Sequence, residues 1–122
     1  MTKIAIIEDD PTISQMYRMK FEADGFDVRM AGNGKIGVDL VKSFKPDIIL
    51  LDIQMPEMNG AEALKLIREH KDSKDTPVII LTNLGEEEAP SEMRSLGISS
   101  YIVTANNTPR QVVAHVKNTI GQ

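Results

Sequence analysis

The 122-residue chain contains no cysteine. That absence removes disulfides, thiolate catalysis and Cys-type zinc sites together. No apolar run approaches the roughly 20 residues needed to span a bilayer. The first residues, Met-Thr-Lys, run straight into an apolar stretch without a signal-type h-region, so a cytoplasmic location and no membrane partner are expected. Positive charge is not in excess. Fourteen Lys and Arg face eighteen Asp and Glu, giving a net charge of −4, and a dominant nucleic-acid surface is not expected. Linkers, repeats and low-complexity tracts are lacking, so residues 1–122 read as one domain.

What is present is alternation. The runs Ile4–Ile7, Ile48–Leu51 and Val78–Leu81 are continuously apolar, as in strands buried on both faces. Phe26–Met30 alternates and reads as an edge strand. Ser100–Val103 is the fifth strand and the expected other edge. Helical patterns separate these runs, which predicts an α/β fold, a parallel sheet covered on both faces.

Most helices announce their starts. Asp10 before Pro11 and Thr108 before Pro109 each pair a cap with a proline at the first helical position. Asn33 and Asn59 are the other expected caps. Inward stripes follow: Ile13, Met16, Tyr17 and Phe21; Gly37, Leu40, Val41 and Phe44; Leu64 and Ile67; Val112, Val113, Val116 and Ile120. The fourth helix is the exception. Glu86, Glu87 and Glu88 suit a helix start, but Pro90 follows where backbone donors are already needed. A short or kinked helix, or one beginning near Pro90, is expected.

Chemistry concentrates in three acids. The first apolar run ends in Glu8 and Asp9, and the run Ile48–Leu51 ends in Asp52. Carboxylates at the ends of buried strands lose hydration and need compensation. In an open α/β sheet, the carboxyl ends of neighbouring strands meet at one ligand-binding crevice. Three acids there repel each other unless a hard divalent cation joins them, and Mg²⁺ is the usual candidate.

Five strand–helix units with acids after strands one and three resemble the receiver domain of bacterial two-component response regulators. The likeness covers essentially the whole chain. It implies a single (βα)5 doubly wound domain with strand order 2-1-3-4-5, the order known for this family. Glu8 and Asp9 match the acidic pair that holds Mg²⁺. Asp52 matches the phosphoacceptor. Gln54 occupies the position whose backbone carbonyl completes the metal site. Met55-Pro56 and Gly60 match the loop after strand three. Thr82 matches the hydroxyl that bonds a phosphoryl oxygen, and Tyr101 the aromatic whose rotamer follows activation. The implied partners are a histidine kinase or phosphotransfer protein upstream and an unknown protein downstream, with the domain a monomer or weak homodimer. Beyond self-phosphotransfer and self-dephosphorylation at Asp52, no enzyme activity is implied.

One departure matters. Strand five of a typical receiver ends in Lys-Pro, and here the place reads Thr104-Ala105. Threonine cannot supply the lysine's charge, and a lost charge-assisted contact is worth on the order of 1.5–3 kcal/mol. A cis peptide before Ala105 would cost about 2.5–4 kcal/mol, so a trans bond is expected. Asn83, after Thr82, is bulkier than the Ala or Gly often found there, and is expected to narrow access to the acyl phosphate. The leading expectation is a phosphoacceptor with coupling impaired at Thr104. The alternative is a degenerate receiver acting as a phosphorylation-independent interaction module. A haloacid-dehalogenase-type phosphatase is disfavoured, because Asp52-Ile53-Gln54 lacks the second aspartate. A flavodoxin is disfavoured because Glu8-Asp9-Asp10 would repel a phosphate. His70 and His115 read as solvated, and the methionines as packing residues.

Overall fold

The apolar runs become the buried centre of a parallel sheet. A computed structural model describes residues 1–122. Its strands are β1 (Lys3–Ile7), β2 (Asp27–Ala31), β3 (Ile48–Leu51), β4 (Val78–Thr82) and β5 (Ser100–Val103). They lie in the order β2-β1-β3-β4-β5, every neighbouring pair parallel. β3 and β4 are buried along their whole length. β2 mixes buried and exposed positions at one edge, as its alternation predicts.

The helices are α1 (Pro11–Ala23), α2 (Gly34–Phe44), α3 (Gly60–Glu69), α4 (Glu92–Ser95) and α5 (Pro109–Thr119). Four begin on a side-chain cap. Asp10 accepts from the backbone N–H groups of Thr12 and Ile13 at 2.9 and 3.3 Å. Asn33 accepts from Ile36 at 2.8 Å. Asn59 with Glu62, and Thr108 with Gln111, form reciprocal capping boxes, which satisfy two orphan donors each.

Strand alternation divides the core in two. Ile7, Ile49, Leu51 and Ile80 pack with Val38 and Val41 of α2, Leu64 and Ile67 of α3 and Met93 of α4. Ile4, Ile6, Leu50, Leu81 and Ile102 pack with Tyr17 and Phe21 of α1 and Val112, Val113 and Val116 of α5. Helices therefore cover both faces.

The region after β4 is broken up, in line with the expectation. A 3-10 turn spans Glu86–Glu88, Pro90 follows, and α4 is only four residues long. Some details differ from the stripes. Phe44 is half-buried at the sheet's lower rim, with the Lys3 ammonium and Arg29 guanidinium 5.4 and 5.2 Å from its ring centroid. Ser14, unmarked by periodicity, is buried in α1, where its hydroxyl lies 3.5 Å from the Met30 sulfur. Met19 is 65 % exposed and is not a packing residue.

Candidate functional site

Backbone pairing brings the acids together. The Glu8 N–H donates to the Ala31 carbonyl and the Asp52 N–H to the Ile7 carbonyl, both at 3.0 Å. The ladder thus runs one residue past the ends of β1 and β3. Ile4 and Ile6 face α1 and α5, as do Ile48 and Leu50, so the period of two carries Glu8 and Asp52 onto that same face. Asp9 follows at the mouth of the crevice.

Carboxylate oxygens of Glu8, Asp9 and Asp52 lie within 4.8 Å of one another. Asp52 is 9 % exposed, and its Oδ1 accepts the Ile53 N–H at 2.7 Å. Glu8 Oε2 accepts the Asp10 N–H at 3.1 Å. None of the chain's ion pairs involves these acids. The consequence falls on Glu8, whose pKa is pushed up to about 8. Burial is the main cause, and the Asp52 charge and side-chain hydrogen bonds to Asp9 and Asp52 add to it, against the lowering effect of the Asp10 N–H. Clustered, poorly neutralised carboxylates form an all-oxygen donor set suited to a hard cation. The residues present therefore fit Mg²⁺.

The wall behind Asp52 is set by glycine. A Cβ on Gly60 would run into the Asp52 backbone carbonyl and the Ile53 Cα. This close approach seats the start of α3 against Asp52, and the Gly60 N–H donates to the Ile53 carbonyl at 2.8 Å. Gln54 is exposed in the loop that follows.

Thr82 ends β4 and is 2 % exposed. Its hydroxyl oxygen accepts the Leu84 N–H at 3.3 Å. Tyr101 in β5 is half-buried and donates its hydroxyl to the Leu84 carbonyl at 2.8 Å. Burial raises the Tyr101 pKa, with Glu86, Glu87, Asp52 and Glu88 adding to the effect. Thr104 stands just past β5, and its hydroxyl donates to the Asn83 side-chain carbonyl. No local sequence signal marks that contact. Only the cross-strand register reveals it, and one chain's sequence does not print its register. The peptide before Ala105 is trans, as are all others.

The response regulator receiver domain family matches residues 4–117. The chain belongs to that family. The receiver is 35% identical over 103 residues to the regulatory protein AtoC of Escherichia coli, covering 84% of this chain and 22% of that protein. It is 36% identical over 115 residues to the transcriptional regulatory protein SrrA of Staphylococcus aureus, covering 94% of this chain and 46% of that protein. It spans less than half the length of either relative. Among solved structures, the chemotaxis protein CheY4 of Vibrio cholerae superposes on the receiver with a TM-score of 0.88 at 25% identity, covering 97% of this chain and 98% of that one.

Proposed function

We propose that this receiver accepts a phosphoryl group on Asp52 from the phosphohistidine of a histidine kinase or phosphotransfer protein, and that the adduct alters binding to a downstream partner. The observation that carries the proposal is the convergence of three carboxylates within 4.8 Å, with Asp52 nearly buried among them.

In the proposed reaction, an Asp52 carboxylate oxygen forms a bond to phosphorus while the bond from phosphorus to the donor imidazole nitrogen breaks. The bonding pair leaves with that nitrogen. Such transfer depends mainly on alignment and on stabilising charge on the equatorial oxygens. Glu8, Asp9, the Asp52 side chain and the Gln54 backbone carbonyl would hold Mg²⁺, which when bound supplies positive charge beside the phosphoryl oxygens. The Ile53 N–H holds Oδ1 of Asp52 in place. Thr82 turns its hydroxyl to a phosphoryl oxygen, giving up the Leu84 N–H. Tyr101, bonded to the same Leu84, then changes its own contacts. That coupling would carry the signal to the surface around α4 and β5, the domain acting by docking and not by turning over a substrate.

A second reading has one observation in its favour. The Thr104 hydroxyl is engaged by Asn83, and no cationic side chain is paired with the acids. A receiver with weakened phosphoryl binding could act as a phosphorylation-independent interaction module. Intact-protein mass spectrometry after acetyl phosphate and Mg²⁺ separates the two. The first reading expects a phosphoryl adduct that Asp52→Asn abolishes. An unmodified parent protein would favour the second.

A further inference from the structure

Asn83 and Thr104 are cross-strand partners. The β4–β5 register pairs Leu81 with Ile102 and Thr82 with Val103, so Asn83 and Thr104 come next. Leu81 and Ile102 both face α1 and α5. Asn83 and Thr104 lie just past the ends of β4 and β5, and continuing the alternation puts their side chains on that face as well, the one that carries Asp52. Leu51 pairs with Ile80, which puts Asp52 level with Leu81. Asn83 therefore stands one side-chain step further out, above the acceptor at the crevice mouth.

The hydrogen bond between the two has a direction. The Thr104 hydroxyl donates to Asn83 Oδ1. With its oxygen engaged in this way, the Asn83 amide leaves its Nδ2 donors free. The Asn83 Nδ2 group donates no hydrogen bond within the chain, and Asn83 is exposed. Two N–H donors are thus left free on the face that carries Asp52, where no cationic side chain pairs with the acids.

We propose that Asn83 is a phosphoryl-binding residue of this receiver, held in its donor orientation by Thr104, so that a neutral amide supplies a contact in place of a cation. The proposal rests on Asp52 being the phosphoacceptor. The amide donates a hydrogen bond to an equatorial oxygen and transfers no proton. Bonds form and break at phosphorus as in the reaction above. Thr104 is a positioning residue, acting only through Asn83.

The test follows adduct formation with acetyl phosphate and Mg²⁺ across donor concentrations, in the parent, Asn83→Ala, Thr104→Val, Thr104→Ser and the double variant Asn83→Ala/Thr104→Val. A hydrogen bond to a charged acceptor predicts a loss of about 10–100-fold for Asn83→Ala. Thr104→Val should lose up to about tenfold, and Thr104→Ser should recover the parent rate. The double variant should be no slower than Asn83→Ala alone, because the two residues act as one unit. An independent readout uses beryllium fluoride with Mg²⁺ as a non-transferable phosphoryl mimic, and the Asn83 side-chain amide resonances should then shift. An Asp52 adduct that forms at the parent rate in Asn83→Ala, or Asn83 amide signals that stay put while the mimic binds, overturns the proposal and leaves the phosphoacceptor reading standing. A parent protein that gains no adduct removes both.

Discussion

The Tyr101 hydroxyl donates to the Leu84 carbonyl at 2.8 Å, while the Leu84 N–H donates to the Thr82 hydroxyl oxygen at 3.3 Å. One loop residue therefore touches both side chains proposed as the switch. Tyr101→Phe removes a hydrogen bond from a half-buried ring and leaves its packing. We expect a loss of about 0.5–1.5 kcal/mol in urea unfolding, together with faster amide exchange in the loop after β4. An unchanged midpoint and unchanged exchange would mean that the bond does not hold the loop.

Arg68 ties together the opposite end of β4 and β5. From α3 its guanidinium donates to the carbonyls of Leu96, Ser73, Thr76 and Gly97 at 2.8, 2.9, 2.7 and 2.6 Å. It thereby ties the end of α4 to the segment before β4. Arg68→Ala leaves several carbonyls without their donor and should cost about 2–4 kcal/mol. Arg68→Lys should recover less than half of that, because an ammonium cannot reproduce the planar fork. Chemical denaturation of both variants decides the point, and a fully stable Arg68→Lys would refute the geometric argument.

Features set by neighbours in the chain were legible in the sequence; features set by distant contacts were not. Asp10-Pro11 and Thr108-Pro109 mark helix starts because caps act over three residues. The apolar runs mark buried strands because both faces of each are covered. Pro90 signals the broken fourth helix because the missing N–H is local. Glu8, Asp9 and Asp52 could be picked out because strand ends in such a sheet converge. Arg68 showed nothing, since its carbonyl partners in Leu96 and Gly97 lie 28 and 29 residues away. The Thr104 contact with Asn83 was hidden for the same reason. Helical period alone marks Phe44 as inward, whereas the two cations that cover it come from β1 and β2.

Gly60 and Gly32 should respond differently to alanine. A Cβ at Gly60 meets the Asp52 carbonyl, which is backbone and cannot move aside cheaply, whereas nothing lies within 4 Å of a Cβ at Gly32. Gly60→Ala should destabilise by about 1–3 kcal/mol through overpacking and, if Asp52 accepts the phosphoryl group as proposed, slow adduct formation by shifting it. Gly32→Ala should stay within about 0.5 kcal/mol of the parent. Paired thermal melts and phosphorylation time courses check both, and equal behaviour of the two variants would discredit the close approach as a constraint on the site.

The Glu8 carboxyl makes stability depend on pH in an unusual direction. Its pKa rises from 4.5 to about 8 on folding, chiefly because the side chain is desolvated, with the Asp52 charge contributing. Below 4.5 the group is protonated in both states, and its favourable contribution is fully present. Between 4.5 and about 8 the folded chain keeps a proton that the unfolded chain has lost, so unfolding releases it and rising pH favours unfolding. The contribution is gone once pH passes the folded value. The metal-free protein should therefore lose melting temperature across that window. If the acids hold Mg²⁺ as proposed, Mg²⁺ should flatten or reverse the slope, because a cation bound to the folded cluster favours its deprotonated form. Asp52→Asn should reduce the slope by removing one of the charges that oppose Glu8 ionisation. Melts across this range, with Mg²⁺ and with a chelator, give the answer. A metal-free protein whose stability climbs with pH throughout would show that burial and the Asp52 charge do not hold Glu8 protonated.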